Sequence, residues 1–185
     1  MYKIFFSLLC FTVAFTSCKK DRDPFEISKH HVGLLTDSTQ VKDLKLVFPN
    51  DSIVRFIGGD EFLGNINNIE VFEKGGKKLL TLLPKHALDS TSTISGIRIM
   101  DPRFTTEKKL STVSVFKDID SQYKISRISN LINSIVVSVD DINASFTIDK
   151  NELPPNLRFD MNLKFESTHV PDQAKIKYFF INWLN

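Results

Sequence analysis

Apolar and polar positions alternate over short stretches along most of the chain. Eight runs favour β-branched and aromatic residues: Ser52 to Ile57, Asn68 to Phe72, Lys78 to Leu83, Thr93 to Met100, Lys124 to Ile128, Ser134 to Val139, Ala144 to Ile148 and Ile176 to Trp183. A period of two in such residues predicts strands with one buried face. Turn chemistry separates them, at Gly58-Gly59, Lys74-Gly75-Gly76-Lys77, Asp140-Asp141-Ile142-Asn143 and Leu153-Pro154-Pro155. Residues 69–82 and 135–148 each read strand, tight turn, strand, which predicts two antiparallel hairpins. In two places the period changes. Between Ser38 and Phe48 the apolar positions 41, 44, 47 and 48 share a helical face, with Ser38 or Thr39 available as N-cap and Pro49 as a stop. Residues 112–123 do the same through Val115 or Phe116, Ile119 and Tyr123. The pattern predicts an α+β domain, mostly antiparallel β-sheet with two short helices.

The two helical segments resemble each other. Asp43-Leu44 followed by Phe48 matches Asp118-Ile119 followed by Tyr123, a shift of 75 residues, and each is followed by a β run and a hairpin that closes near a Pro (Pro84, Pro154). This predicts two tandem helix-plus-hairpin repeats, about 32–100 and 105–183, packed as one domain; a solenoid would need three units or more.

The first eighteen residues, MYKIFFSLLCFTVAFTSC, follow a different rule. Lys3 precedes an apolar run from Ile4 to Phe15, about a dozen residues, too short for the roughly 20 of a membrane-spanning helix. A short positive region, an apolar run and a small, polar exit make a secretory signal peptide over residues 1–17. Phe15-Thr16-Ser17-Cys18 resembles the lipobox of bacterial lipoproteins, with Phe15 where Leu is usual. That resemblance implies cleavage before Cys18, acylation of its thiol and amine, and a membrane partner reached through the lipid. Several acyl chains anchor stably where one alone is marginal. Residues 18–24 then form the acylated cysteine and a charged tether, and 25–185 the globular domain. Lys19 directly after the cysteine resembles lipoproteins sorted to the outer membrane of gram-negative bacteria.

Composition narrows the function classes. The 185 residues carry 24 basic and 22 acidic side chains, a net charge of +2, which disfavours an electrostatic nucleic-acid binder. With residues 1–17 removed and Cys18 carrying lipid, no cysteine remains for the domain, so packing alone must hold it.

Candidate chemistry is sparse. Gly58-Gly59-Asp60-Glu61-Phe62 spells the signature of diguanylate cyclases, in which the glycines admit guanine and phosphate and the acidic pair binds metal. That family needs a βαβ unit ahead of the motif and an apolar strand after it, whereas a tether and one short helix precede Gly58 and a polar loop, residues 63–68, follows. An exposed Gly-Gly turn is the competing reading. His30, His31, His86 and His169 lack metal-ligand spacing, no nucleophile elbow occurs, and no catalytic residue, metal or cofactor is expected. Asp101-Pro102-Arg103, with Arg98 nearby, reads either as a structural corner with Arg103 capping or ion-paired, or as an anion or partner contact between the repeats. Arg158, Lys164, Lys175 and Lys177 make the C-terminal third mildly basic.

Three segments carry a wider likeness: Val32-Gly33-Leu34-Leu35-Thr36, Ile97 to Arg103 and Lys175 to Trp183. Together they resemble small envelope lipoproteins of unknown function, and the opening and the Ile181-x-Trp183 ending are similar to the sigma-E-regulated outer-membrane lipoprotein family. The resemblance implies a compact α+β domain, no catalytic residues, and an envelope protein or glycan as partner.

Overall fold

The computed structural model describes residues 22–55 and 67–183. The Cys18 lipobox and the 58–62 string lie outside them. The main element is an eight-stranded sheet built from two four-stranded meanders. The first contains β4 (Ser52–Arg55), β5 (Ile69–Phe72), β6 (Lys78–Pro84) and β7 (Ile94–Ile99). The second contains β9 (Arg127–Asn130), β10 (Ser134–Val139), β11 (Ala144–Asp149) and β12 (Ile176–Asn182). The spatial order is β4-β5-β6-β7-β12-β11-β10-β9, antiparallel at every step, so the last strands of the two meanders meet in the middle. Phe179 pairs with Ile99 and Ile181 with Ile97 across that seam.

Each meander is preceded by a short helix, α1 (Leu44–Val47) and α2 (Phe116–Gln122), and the backbone contacts around the two helices correspond. Gln40 bridges Thr93, and Val115, 75 residues on, bridges Lys175. Val41 N donates to Ser92 O and Phe116 N to Ala174 O, both at 2.9 Å; Lys42 and Lys117 likewise donate to Ser90 and Asp172. Thr36 N donates to Thr39 Oγ1 and Ser111 N to Ser114 Oγ. The two halves therefore use the same hydrogen bonds to hang a helix on the start of the innermost strand. These bridges also shorten the helices. Residues 38–40 and 112–115 would extend them by side-chain pattern, but they form a turn that ends in an extended residue, Gln40 or Val115, held in a bridge, so helical structure begins only at Val41 and Phe116. Tertiary pairing overrides local propensity here.

Four two-residue strands, absent from the sequence pattern, form a second sheet in the order β3-β2-β1-β8: β1 (Glu26–Ile27), β2 (His31–Val32), β3 (Leu35–Thr36) and β8 (Thr105–Thr106). Gly33 shapes it. Its φ is +57°, and a Cβ there would lie 2.2 Å from the Pro24 carbonyl oxygen, so no other residue fits unstrained. Strand β9 also begins three residues later than the sequence reading places it, because its register is set by pairing Ile128 with Val137 and Asn130 with Ile135.

One face of the large sheet is apolar. Val71, Leu80, Leu82, Ile97, Val137, Phe146, Phe179 and Ile181 are fully or almost fully buried against Leu35, Leu44, Leu110, Phe116 and Ile119. The Phe146 and Phe179 rings, neighbours across β11 and β12, lie 4.6 Å apart. Each such side chain contributes about 1.5–3 kcal/mol of transfer free energy. Trp183 fastens the end of β12 to the N-terminal region through its indole N–H, which donates to the Lys29 carbonyl at 2.9 Å. The opposite face, with Thr81, Arg98, Tyr178, Phe180, Ser145 and Ser138, is largely half-buried and polar, as one-sided antiparallel sheets allow.

Candidate functional site

Asp101 follows β7 directly, and Pro102 turns the chain there. The Asp101 side chain is fully buried and accepts from the Arg103 backbone N–H at 2.9 Å, from Arg103 Nε and Nη2, and from Lys77 Nζ at 3.0 Å. Burial is the largest influence on this carboxyl and pushes it towards the neutral form. The hydrogen bonds from the Arg103 side chain and backbone and from Lys77 together outweigh it and bring the carboxyl down to about 2. Arg103 also grips Glu73 with both terminal nitrogens, at 2.8 and 3.0 Å, and stacks on the Phe25 ring at 4.5 Å. These carboxylates raise Arg103 above its already high value, and its hydrogen bonds lower Glu73.

Arg98 takes another partner altogether. It lies over the Tyr178 ring at 3.9 Å, on the polar face of the sheet. Of the three residues in the candidate contact, the structure brings Asp101 and Arg103 together and sets Arg98 on Tyr178. Beside the corner, Phe25, Leu34, Phe48, Leu79 and Phe104 line an apolar groove of about 260 Å³ that also includes Asp51 and Glu73. Burial, then the nearby Glu73 charge, pushes Asp51 up. Carboxylates rather than free guanidinium groups face that groove, which opposes an anion there.

A second constellation lies at the far end of the second meander. Asp149 ends β11, and its side chain caps the following 3-10 turn, Lys150–Glu152, by accepting from Asn151 N at 3.0 Å. The turn folds Lys150 inward, where its backbone N–H donates to Asn133 O, and the residue is only 5% exposed. Its ammonium has one partner among the described residues, the Met161 thioether at 3.5 Å. Sulfur is a weak acceptor. Met161 is placed by the 158–163 loop, which Asn130 ties to β9 by donating to Asp160 O and Leu163 O.

Around Lys150 runs a cleft of about 560 Å³. Arg158 lines it and donates to two backbone carbonyls, Leu153 at 2.8 Å and Asn151 at 3.0 Å, with no carboxylate partner among the described residues. Lys177 and Asp149 also line it and pair at 2.8 Å, which lowers the Asp149 carboxyl and raises Lys177. The cleft thus holds three cationic side chains and one carboxylate, beside Ile132 and Phe159 on its apolar rim. In the sequence Arg158 and Lys177 give only mild basic character, and Lys150 stands in a polar run that reads as loop.

Among the described residues neither a nucleotide-cyclase scaffold nor a metal centre emerges. The described residues ahead of Gly58 contain no βαβ unit, and the strands flanking residues 56–66, β4 and β5, are antiparallel neighbours. No group of three or more His, Cys, Asp or Glu side chains among the described residues is placed to hold a metal. His30 pairs instead with Asp37 at 2.7 Å.

No protein-family model matches the chain, and no curated protein matches it. Among solved structures, the crystal structure of the uncharacterized protein yfeY from Escherichia coli is similar, with a TM-score of 0.54 over 85% of this chain and 99% of that one. The sequences are 14% identical, so the likeness is one of fold.

Proposed function

We propose that this protein is an exported lipoprotein, held to the outer membrane by acylated Cys18, whose α+β domain binds a partner rather than transforming one. The observation that carries the reading is the string Phe15-Thr16-Ser17-Cys18 at the end of a dozen-residue apolar run. The spacing supports it: the first strand begins at Glu26, so the domain follows the anchor after a short charged stretch. A binding role agrees with the described residues, whose polar side chains hold corners, caps and ion pairs. Growth with radioactive palmitate tests the anchor. The wild-type chain takes up label and Cys18→Ala does not; equal labelling of the two would end this reading.

A further inference from the structure

We propose that the cleft around Lys150 is a binding site for an anionic amphiphile, with an oxyanion headgroup on Lys150 and Arg158 and an apolar tail over Ile132 and Phe159. The site stands on the geometry of the described domain and does not depend on the anchor at Cys18.

The charge argument starts from Lys150. A largely buried ammonium needs strong acceptors or a counter-charge, and a thioether is a weak acceptor that carries no charge. The one carboxylate among the residues lining the cleft, Asp149, is engaged by Lys177. Arg158 keeps its full charge because carbonyl oxygens hold it in place without neutralising it. Two cations of fixed position therefore face one cleft without a carboxylate of their own, and Asn133 and Asn151 add amide groups beside them. An oxyanion such as a phosphate or carboxylate completes the hydrogen bonding of both.

The rim specifies what the oxyanion carries. Of the nine large hydrophobic side chains exposed among the described residues, three line this cleft: Ile132, Phe159 and Met161. Phe159 is 87% exposed and Ile132 76%. Single exposed apolar side chains are ordinary, but a cluster that borders a cationic cleft marks a ligand with both an apolar and an anionic part. A bare inorganic anion would leave that rim in water.

The test is calorimetric titration of the full chain with decyl phosphate below its micelle concentration, beside inorganic phosphate and neutral decyl maltoside. Decyl phosphate should bind at least about 10-fold more tightly than either, since loss of the headgroup or of the tail forfeits one half of the contacts. Lys150→Met should weaken it by about 10-fold or more, and Arg158→Gln by several-fold. Ile132→Ser changes only an exposed position, so the fold is kept. It should weaken decyl phosphate and leave inorganic phosphate unchanged. Equal affinity for inorganic phosphate overturns the amphiphile, equal affinity for decyl maltoside overturns the oxyanion site, and wild-type affinity in Lys150→Met overturns the site itself.

Discussion

The Asp101 corner and the Lys150 cleft each bury one charged side chain beside an arginine, and they treat it in opposite ways. Asp101 accepts from Arg103, Lys77 and the backbone, and Arg103 passes its remaining donors to Glu73. Every charge there has its opposite within hydrogen-bond reach. Lys150 has a thioether, and Arg158 has two carbonyls. A buried charge that the chain satisfies by itself holds a turn in place, whereas one left with weak acceptors keeps bonding capacity for a ligand. The pairing of charges, not their number, separates a structural site from a binding one.

The contrast can be broken most severely at Asp101. Asp101→Ala removes a buried acceptor from Lys77 and from the Arg103 backbone and leaves the Arg103 side chain only Glu73; it should destabilise the domain by about 3 kcal/mol, the upper end for hydrogen bonds to a charged group, measured by urea unfolding. Acid should act on the same group more gently. Its carboxyl titrates at about 2 in the folded state against 3.8 ordinarily, so its contribution is fully present above 3.8 and is lost as pH falls through about 2. The linkage amounts to about 2 kcal/mol, and Asp101→Asn should abolish that part of the acid dependence of urea midpoints. Arg103→Lys keeps the charge but not the fork that spans Asp101 and Glu73. It should lower the urea midpoint in the same unfolding experiment by less than Asp101→Ala does. The smallest effect on stability belongs to Lys150→Met. Removing a buried ammonium without a counter-charge should leave the unfolding free energy within about 1 kcal/mol of wild type or raise it. A loss of 3 kcal/mol there would make the two regions equivalent.

The two hairpins were legible because alternation and the Gly75-Gly76 turn act locally. Both glycines take positive φ, +119° and +90°, as the tight connection requires. Asp101-Pro102-Arg103 was legible as a corner for the same reason, since an Asp can accept from the backbone two residues on. What escaped depends on distant partners. The strands β1, β2, β3 and β8 are two residues each, too short for a period to show. The helices start late because Gln40 and Val115 bridge residues 53 and 60 positions away. Lys150 could not be recognised as buried from its neighbours Asp149 and Asn151. The one local hint was the alternation of Leu157, Phe159, Met161, Leu163 and Phe165 with polar residues, and only the fold brings Met161 onto the ammonium.

Thermal unfolding of wild type and Lys150→Met with and without decyl phosphate shows whether Lys150 receives a ligand's negative charge. Binding to the folded state raises its stability by mass action, about 2.7 kcal/mol at a hundred times the dissociation constant. Wild type should gain in Tm, and Lys150→Met should gain little or nothing at the same concentration. Equal rises in the two proteins, or none in either, would contradict that role for Lys150.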